Sequence, residues 1–570
     1  MNRRLPRVRS ASGGVSRRVF LGAGAAGGAA LMVGGWPALL DAAPQKAAKG
    51  GGVSWLEATV PQLQAMMATG KLSSRELTQA YLARIASLNP LLHAVIETNP
   101  QAVAIASQLD NERRAGRVRG PLHGIPVLLK DNIATADNMQ TTAGSLALLN
   151  SRLPGDAPLV ARLRQAGAVI LGKANLGEWA NFRGFNPPGS YGWTARGGET
   201  HNPYVLGYTA MGSSSGSGVA VAANLCSVAV GTETDGSITA PANGNLIVGL
   251  KPTVGLIPQD GIIPISHEQD TAGPMGRSVT DVATLLGVMQ TPFGAVAGNP
   301  LPADYAQFLQ RGALAGKRIG VDRRFFDYSY FGYPGDDDTV PLVEDALDVM
   351  QDLGATLVDV DTGDIFAYYD AEFFALLCEF KVHIAEYLGT LAHTSMRTLS
   401  DLIAFNLSHC TQELRTFGQE IFEMADSTAG LDEPGSADAR NMARTLAQSG
   451  IDNALAAGTV DAIVAPHLTN TTAPAVSGYP NLALPVGVRA DGRPAGLLMY
   501  GGFLSEPSLI GFAYDLEQEM NARSQPTMLG EISDPPNAGL CEALPAPHTF
   551  KGKAGLPHGK LFVPRGKRVW

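Results

Sequence analysis

Cysteine is scarce in this chain of 570 residues. Its four cysteines are widely spaced and form no Cys-x-x-Cys pair; they are Cys226, Cys378, Cys410 and Cys541. This spacing favours buried free thiols over a disulfide framework or a cysteine-based metal site. The His-Glu-x-x-His motif of many zinc hydrolases is also missing. We therefore expect chemistry that needs neither a metal ion nor a cofactor.

Charged residues are few as well. They make up 17% of the chain, against 45% for hydrophobic residues, and the formal net charge is −9. A chain of this composition can bury a large core, which excludes a largely disordered protein. The negative net charge gives no reason to expect a nucleic-acid partner.

No acidic residue precedes Asp41, and this N-terminal stretch carries six arginines. The sequence Ser16-Arg17-Arg18-Val19-Phe20-Leu21 resembles a twin-arginine export signal, and a run rich in Gly, Ala and Leu follows over residues 21–40. A membrane anchor is the alternative, because a spanning helix needs roughly 20 apolar residues. The many glycines make the run a poor anchor.

We therefore expect residues 1–43 to be a twin-arginine-type signal peptide and residues 44–54 to be a linker. The mature protein would be periplasmic or extracellular, with no stable membrane association. The twin-arginine export machinery would be only a transient partner.

Residues 55–525 are predicted to form one domain. Helical spacing dominates up to about residue 115, with a capping box that begins at Ser73. Short apolar strands then alternate with helices, which predicts an α/β fold with a large mixed, mainly parallel sheet covered by helices on both faces. Residues 370–460 are predicted to be mostly helical. Residues 526–570, rich in Pro and Gly and basic at the end, are predicted to be a loosely ordered tail.

Three short segments carry the chemistry: residues 124–132, 212–218 and 231–237. The first places Lys130 behind an apolar run, and the other two place serines on glycine-rich loops. In open α/β sheets such loops at strand ends usually bind ligands. One lysine and two serines are the side chains needed for acyl transfer with a serine nucleophile and a lysine base.

Ser237 is the predicted nucleophile. The backbone N–H groups of the preceding Thr234, Asp235 and Gly236 can turn inward and stabilise a tetrahedral oxyanion. An ordinary turn would show the same residues, so this segment alone does not establish catalysis.

Lys130 can act as a base only when it is neutral. Neutralising an exposed lysine at pH 7 costs roughly 4–5 kcal/mol, and burial at the end of the apolar strand 125–129 would lower its pKa. A carboxylate at Asp131 would oppose that shift, but side chains alternate along a strand, so the two should point to opposite faces. A salt-bridged or partly exposed lysine is the alternative.

A rival nucleophile is Ser214. Residues 212–216 read Gly-Ser-Ser-Ser-Gly and match the Gly-x-Ser-x-Gly elbow of α/β-hydrolases, which would make the protein an esterase. No histidine of the chain stands in an evident motif to support this interpretation. The Gly-Lys-Ser/Thr triplet of a phosphate loop and the Ser-x-x-Lys of β-lactamases are both missing.

Taken together, the three segments resemble the amidase signature family, over residues 56–522 and most strongly over 121–285. The resemblance implies the amidase signature fold and a catalytic triad of Lys130, Ser213 in a cis peptide bond, and Ser237, which lies 24 residues after Ser213. It also implies that Ser213 relays a proton between Ser237 and Lys130. Thr234, Asp235 and Gly236 would supply oxyanion N–H groups.

The chain departs from the common pattern Asp-Thr-Gly-Gly-Ser-Ile-Arg, because residues 233–239 read Glu-Thr-Asp-Gly-Ser-Ile-Thr. Thr239 in place of arginine counts against the tRNA-linked amidotransferase subunit. Residues 193–198, 249–256 and 269–275 are similar to the bacterial peptide amidases, which remove the amide from peptide C-termini. The stretch 466–478 is shorter than that subgroup predicts.

The expected function is thus a secreted serine amidase that converts a carboxamide, such as a C-terminal peptide amide, to carboxylate and ammonia. Its substrate would be a small amide or an amidated peptide. Two alternatives remain besides the esterase: an amidase signature hydrolase of aryl or aliphatic amides or esters, and a non-catalytic binding protein on the same fold.

Overall fold

A computed structural model describes residues 54–187, 189–292, 294–328, 337–532 and 534–543. The predicted signal peptide, nearly all of the predicted linker and residues 544–570 lie outside this part of the chain. The interpretations placed on them therefore stay predictions. Within the described residues, no helix has both the length and the apolar character needed to cross a membrane.

Eleven strands form one sheet in the order β1-β3-β2-β4-β6-β5-β12-β13-β11-β9-β10, and β7 and β8 form a separate two-stranded ladder. The strands are β1 Val95–Thr98, β2 Pro126–Lys130, β3 Val169–Ala174, β4 Val228–Glu233, β5 Val248–Lys251, β6 Thr271–Gly276, β7 Ala295–Val296, β8 Asn299–Pro300, β9 Arg318–Val321, β10 Thr356–Asp359, β11 Ala462–Pro466, β12 Asn481–Val488 and β13 Pro494–Tyr500.

The large sheet is mixed. Four neighbouring pairs are parallel and six are antiparallel. The α/β class and the mixed sheet are confirmed, but "mainly parallel" is wrong. One reason is that β12 and β13 are joined by a short turn, which imposes antiparallel pairing. The other is that β6 enters between β4 and β5 and runs antiparallel to both.

Sixteen α-helices accompany the strands in the described residues. They are α1 Val60–Ala68, α2 Ser74–Leu92, α3 Ala102–Arg114, α4 Pro158–Gln165, α5 Ser215–Ala222, α6 Thr239–Gly244, α7 Val279–Met289, α8 Val340–Asp352, α9 Tyr369–Gly389, α10 Leu399–Ser408, α11 Cys410–Glu413, α12 Glu420–Ser427, α13 Ser436–Gly458, α14 Thr472–Ser477, α15 Glu506–Met520 and α16 Leu540–Ala543. Helices α9 to α13 occupy the region that was predicted to be helical.

The capping box at the start of α2 is confirmed. Ser73 Oγ accepts from the N–H of Glu76 at 3.1 Å, and the Glu76 carboxylate accepts from the N–H of Ser73 at 2.9 Å. These bonds satisfy two of the N–H groups that a helix leaves unpaired at its start. The stretch up to residue 115 is not wholly helical, however, because β1 separates α2 from α3.

The centre of the sheet is buried on both faces. Every residue of β2, β3 and β4 is buried. A strand whose alternate side chains are all inaccessible must be covered from above and below, as in sheets with helices on both sides. Charged residues at the ends of these strands are therefore removed from water.

The cysteine prediction is wrong for two of the four residues. Cys410 on α11 and Cys541 on α16 form a disulfide across 131 residues of sequence, whereas Cys226 and Cys378 are buried free thiols as expected. Spacing alone could not reveal this pair, because no short motif links its members.

The first part of the predicted tail contacts the domain. The N–H groups of Met528 and Leu529 donate to the carbonyl oxygens of Pro203 and Tyr204, both at 2.8 Å. Further along, the N–H of Ala538 donates to the carbonyl oxygen of Arg415 at 2.7 Å, and the disulfide follows. A loosely ordered tail from residue 526 is therefore wrong for the described part of this segment, and the domain continues past residue 525.

Candidate active site

The ends of two neighbouring parallel strands bring the predicted residues together. Strand β2 pairs in parallel with β4, so Lys130 at the end of β2 and Thr232 near the end of β4 lie at the same edge of the sheet. Lys130 Nζ lies 2.7 Å from Ser213 Oγ, and it donates to Thr232 O at 3.1 Å and Thr232 Oγ1 at 2.9 Å. Lys130 and Ser213, two of the three predicted triad residues, are thus within hydrogen-bond distance of each other.

Lys130 is fully buried, and this burial changes its pKa. It lowers the pKa of Lys130 from 10.5 to about 7, while the nearby carboxylates of Asp270 and Glu233 act in the opposite direction. A substantial fraction of the side chain is therefore neutral near pH 7, as general-base catalysis requires.

Asp131 lies in a separate network, as strand alternation predicts. Its carboxylate accepts from Thr142 Oγ1 at 2.6 Å and from the N–H of Gly144 at 3.2 Å, and it pairs with Arg196. The adjacent carboxylate is thus held by other donors and does not form an ion pair with Lys130.

Burial by itself does not identify which lysine acts as the base. Lys173 and Lys251 are equally buried, and burial lowers the pKa of each to about 8. Lys173 donates to Ile133 O at 2.6 Å and Thr141 Oγ1 at 2.7 Å, and Lys251 donates to Pro252 O at 3.1 Å. Lys130 differs in that its amine reaches the hydroxyl of a serine on a glycine-rich loop.

Ser213 is held by the backbone around it. The Gly212–Ser213 peptide bond is cis, as the resemblance implies. The carbonyl oxygen of Ser213 accepts from the N–H of Gly177 at 2.9 Å. Gly212 is packed so closely that an added Cβ would lie 2.4 Å from Tyr191 O and 2.6 Å from Asn181 Nδ2. Only glycine fits at position 212 without a shift of the loop.

We predict that Gly212→Ala lowers kcat for an amide substrate by at least about 100-fold, because a misplacement of Ser213 by roughly 1 Å breaks the relay geometry. The matched control is Gly389→Ala, where an added Cβ meets no atom within 4 Å. Kinetics and thermal melting of both variants check the prediction. Wild-type kcat in Gly212→Ala would contradict it.

Ser237 follows the next loop. Gly236 has φ +74°, a left-handed conformation that favours glycine, and the turn then reaches Ser237, which is 5% exposed. The carbonyl oxygen of Ser237 accepts from the N–H of Ser214 at 3.0 Å, which joins the two glycine-rich loops. The Glu233 carboxylate accepts from the N–H groups of Ile238 at 2.6 Å and Thr239 at 2.9 Å and fixes the turn from its far side.

The side chains of the predicted oxyanion segment are bound to the surrounding protein. Thr234 Oγ1 donates to Asp270 Oδ1 at 2.5 Å, and Asp235 Oδ2 accepts from Thr472 Oγ1 at 2.6 Å. Asp235 stands where the common pattern has glycine. It keeps a backbone N–H, as glycine would, and its side chain also bonds to Thr472 on α14. These contacts restrain the segment that precedes Ser237, which is the preorganisation an oxyanion site needs.

Ser214 has a different environment. It is fully buried, its hydroxyl donates to Thr232 O at 3.1 Å, and it accepts from the N–H of Thr232 at 3.2 Å. Both hydrogen-bonding functions of this hydroxyl are thus used to tie the loop to β4. These bonds argue against Ser214 as a nucleophile.

A narrow cleft adjoins the ends of β2 and β4. Its walls are formed by Asn132, Ala180, Thr232, Thr234, Gln259, Ile262, Ile263, Pro264, Ile265, His267, Asp270 and Thr271. Sequence reasoning assigned no role to Asn132, Gln259 or Asp270. The nearest signal was the similarity over residues 269–275. Burial raises the pKa of Asp270 to about 6, and its carboxylate also accepts from the N–H groups of Ile265 and Ser266.

The helical region is connected through Gln269 to Thr234, which lines this cleft. Gln269 Nε2 donates to Thr234 O at 3.0 Å and to Glu372 Oε1 on α9 at 2.6 Å, and its Oε1 accepts from Arg440 on α13 at 2.5 Å. Arg440 in turn forms a buried bidentate ion pair with Glu379. Helices α9 and α13 therefore support the predicted oxyanion segment at Thr234, a connection that the sequence did not reveal.

Among the residues that the structure describes, one group of side chains could be considered for a metal ion. His267, His383 and Glu386 lie close together, and His267 also lines the cleft. His383 Nδ1, however, accepts from the N–H of His267 at 3.1 Å. A neutral His383 therefore carries its proton on Nε2, so neither ring nitrogen offers a free lone pair. In this arrangement the group is not prepared for a metal ion.

Comparison with known proteins finds relatives among the amidases. The family model described as Amidase matches residues 76–475. A probable amidase of Arabidopsis thaliana is 40% identical over 83% of this chain and 92% of its own length. A glutamyl-tRNA(Gln) amidotransferase subunit from Halorhodospira halophila is 33% identical over 81% of this chain and 96% of its own length. The crystal structure of a peptide amidase from Stenotrophomonas maltophilia superposes with a TM-score of 0.77 at 49% identity and covers 83% of this chain and 99% of its own.

The large mixed α/β sheet, with a buried lysine in contact with a serine hydroxyl at its edge, agrees with these relatives. The chain belongs to the amidase signature family and has its fold. It is an amide hydrolase of that family.

Proposed function

We propose that this protein is an exported serine amidase that hydrolyses C-terminal peptide amides to free acids and ammonia. Ser237 is the nucleophile, and Ser213 and Lys130 form the proton relay. The observation that carries the proposal is the 2.7 Å contact between Lys130 Nζ and Ser213 Oγ. It lies beside the Ser237 loop and involves a lysine whose burial lowers its pKa to about 7.

In the first step, Ser237 Oγ attacks the carbonyl carbon of the carboxamide. Its proton passes to Ser213 Oγ while the proton of Ser213 passes to Lys130 Nζ, so the lysine becomes charged. The carbonyl oxygen becomes an oxyanion, which the N–H groups of Thr234, Asp235 and Gly236 stabilise. Each such donor typically contributes about 3–4 kcal/mol to lowering the barrier.

In the second step, Lys130 returns a proton through Ser213 to the leaving nitrogen. The C–N bond breaks, ammonia leaves, and an ester forms on Ser237. Water then attacks this ester, its proton follows the same relay, and the carboxylate product leaves with Ser237 restored. Every proton taken up by Lys130 is returned, so the cycle needs no other acid.

The peptide-amide substrate rests on the 49% identity with the Stenotrophomonas peptide amidase over most of both chains. Thr239, at the position of the common arginine, counts against a tRNA-linked amidotransferase subunit. The alternative within the same chemistry is an amidase for aryl or aliphatic amides or esters.

The test of this function uses the purified protein and a C-terminally amidated dipeptide. Ammonia release by a coupled assay and appearance of the free acid by mass spectrometry, without cleavage of the internal peptide bond, are the expected results. If the protein hydrolyses an aryl amide but not the dipeptide amide, the peptide-amide assignment is wrong and the protein is an aryl amidase.

Export is supported by two independent features. One is the arginine pair Arg17-Arg18 with its weakly apolar, glycine-rich continuation. The other is the Cys410–Cys541 disulfide, since disulfides persist mainly in oxidising compartments such as the periplasm.

We predict that replacing Arg17 and Arg18 together by lysine retains the protein in the cytoplasm, because export machinery of this type reads the arginine pair. Cell fractionation with immunodetection measures the distribution, and Arg7→Lys serves as the matched control outside the pair. Unchanged export of the double variant would contradict the twin-arginine route.

A further inference from the structure

Asn132 is a buried amide at the wall of the cleft that the mechanism above does not use. It follows Lys130 by two residues, it is 2% exposed, and it lines the cleft together with Thr232 and Thr234. Among the described residues, its Oδ1 has no hydrogen-bond partner. Buried carbonyl oxygens are nearly always paired, so an acceptor that the protein leaves unpaired at the cleft wall can pair with a bound ligand.

The rest of Asn132 is firmly held. Its Nδ2 donates to Thr232 Oγ1 at 3.0 Å, and its backbone carbonyl accepts from the N–H of Ile263 at 2.9 Å. Thr232 Oγ1 also accepts from Lys130 Nζ at 2.9 Å. One hydroxyl therefore connects the side-chain amide of Asn132 to the proposed base, and this bond fixes the amide that carries the free oxygen.

The leaving nitrogen of a carboxamide must approach the same relay. It has to receive a proton from Ser213, whose hydroxyl lies 2.7 Å from Lys130 Nζ. A primary carboxamide carries two N–H groups on that nitrogen, and both persist when its lone pair turns toward Ser213. An acceptor beside the relay is therefore well placed for one of these N–H groups.

We propose that Asn132 Oδ1 accepts a hydrogen bond from the leaving-group nitrogen of the scissile carboxamide and so selects amides over esters. This inference rests on the proposed amidase mechanism and adds a specificity-determining residue to it.

The hydrogen bond from the leaving nitrogen to Asn132 Oδ1 would be strongest in the transition state. As the leaving nitrogen takes up its proton, positive charge develops on it, and its other N–H groups become better donors. A neutral acceptor therefore stabilises the transition state more than the ground state. An ester oxygen at the same place offers no donor and would leave Oδ1 unpaired. Sites built to bind an N–H or O–H discriminate strongly against analogues that lack it.

The test compares kcat/KM for a dipeptide amide and the methyl ester of the same dipeptide, in the wild type and in Asn132→Leu. We expect kcat/KM for the amide to fall about 10- to 100-fold, and that for the ester to change by less than about threefold. Thermal melting shows whether the variant is folded.

Gln259→Leu is the matched control. It also removes a cleft-lining amide, whose Nε2 donates to Asp270 O, and it should leave the amide-to-ester ratio unchanged. If Asn132→Leu lowers kcat/KM for amide and ester equally, or changes neither, the inference is wrong although the mechanism stands. A wild type that hydrolyses the ester but no amide would overturn the proposed function and this inference together.

Discussion

Ser237→Ala should lower kcat/KM for a carboxamide by about 10⁴- to 10⁶-fold, the range typical for loss of a catalytic serine. The variant cannot form the acyl ester, so only the positioning and oxyanion contributions remain. Its fold should be kept, because the hydrogen bond between Ser214 and Ser237 uses the backbone carbonyl oxygen of Ser237. Steady-state ammonia release and thermal melting measure the two effects.

Ser214→Ala is the matched control for this prediction. It removes a buried hydroxyl that pairs with both backbone groups of Thr232, so we expect a loss of about 1–3 kcal/mol in the free energy of unfolding. Activity of the folded variant should stay within about tenfold of the wild type. An inactive Ser214→Ala beside an active Ser237→Ala would restore the esterase interpretation.

Lys130→Met should lower kcat/KM at pH 7 by about 10²- to 10⁴-fold, the usual contribution of a general base. In the wild type, kcat/KM should rise with pH up to a midpoint near 7, because the base must be neutral and burial lowers its pKa to about 7. Below that midpoint the rate should fall tenfold per pH unit. A pH–rate profile of both proteins tests this prediction. If the variant keeps the wild-type rate and the same fall in rate below pH 7, Lys130 is not the base.

The same substitution should stabilise the fold at pH 7. Between pH 7 and 10.5 the unfolded lysine keeps its proton while the folded lysine has lost it, so the unfolded state binds more protons and wild-type stability rises with pH across this window. Lys130→Met removes the cost of burying the amine. Because Thr232 O and Oγ1 lose a donor in this variant, we expect a gain of only about 1–3 kcal/mol in the free energy of unfolding at pH 7, and a loss near pH 10.5. Urea denaturation at both pH values measures the difference.

The relay could be predicted from the sequence because its parts lie in short motifs. The apolar run before Lys130 indicated a buried strand end, and strand alternation separated Asp131 from the amine. Both features are present in the structure. The order and spacing of Lys130, Ser213 and Ser237 then carried the family resemblance.

The supports of the site could not be predicted in this way. Thr234 bonds to Asp270, 36 residues away, and Arg440 reaches Gln269 across 171 residues. Contacts of this length depend on how the strands are ordered, and neither the position of β6 in the sheet nor the Cys410–Cys541 pair has a local signal. The role of Asn132 depends on an oxygen left unpaired by the fold, which only the assembled cleft shows.

The central claim, that Ser237 becomes acylated, is tested most directly by labelling the protein with a fluorophosphonate serine trap and mapping the adduct by peptide mass spectrometry. The account predicts one adduct, on Ser237, and its loss when the dipeptide amide competes. An adduct on Ser214 would contradict the account in favour of the elbow esterase. No adduct on a protein that turns over no amide would favour a binding protein on the same fold.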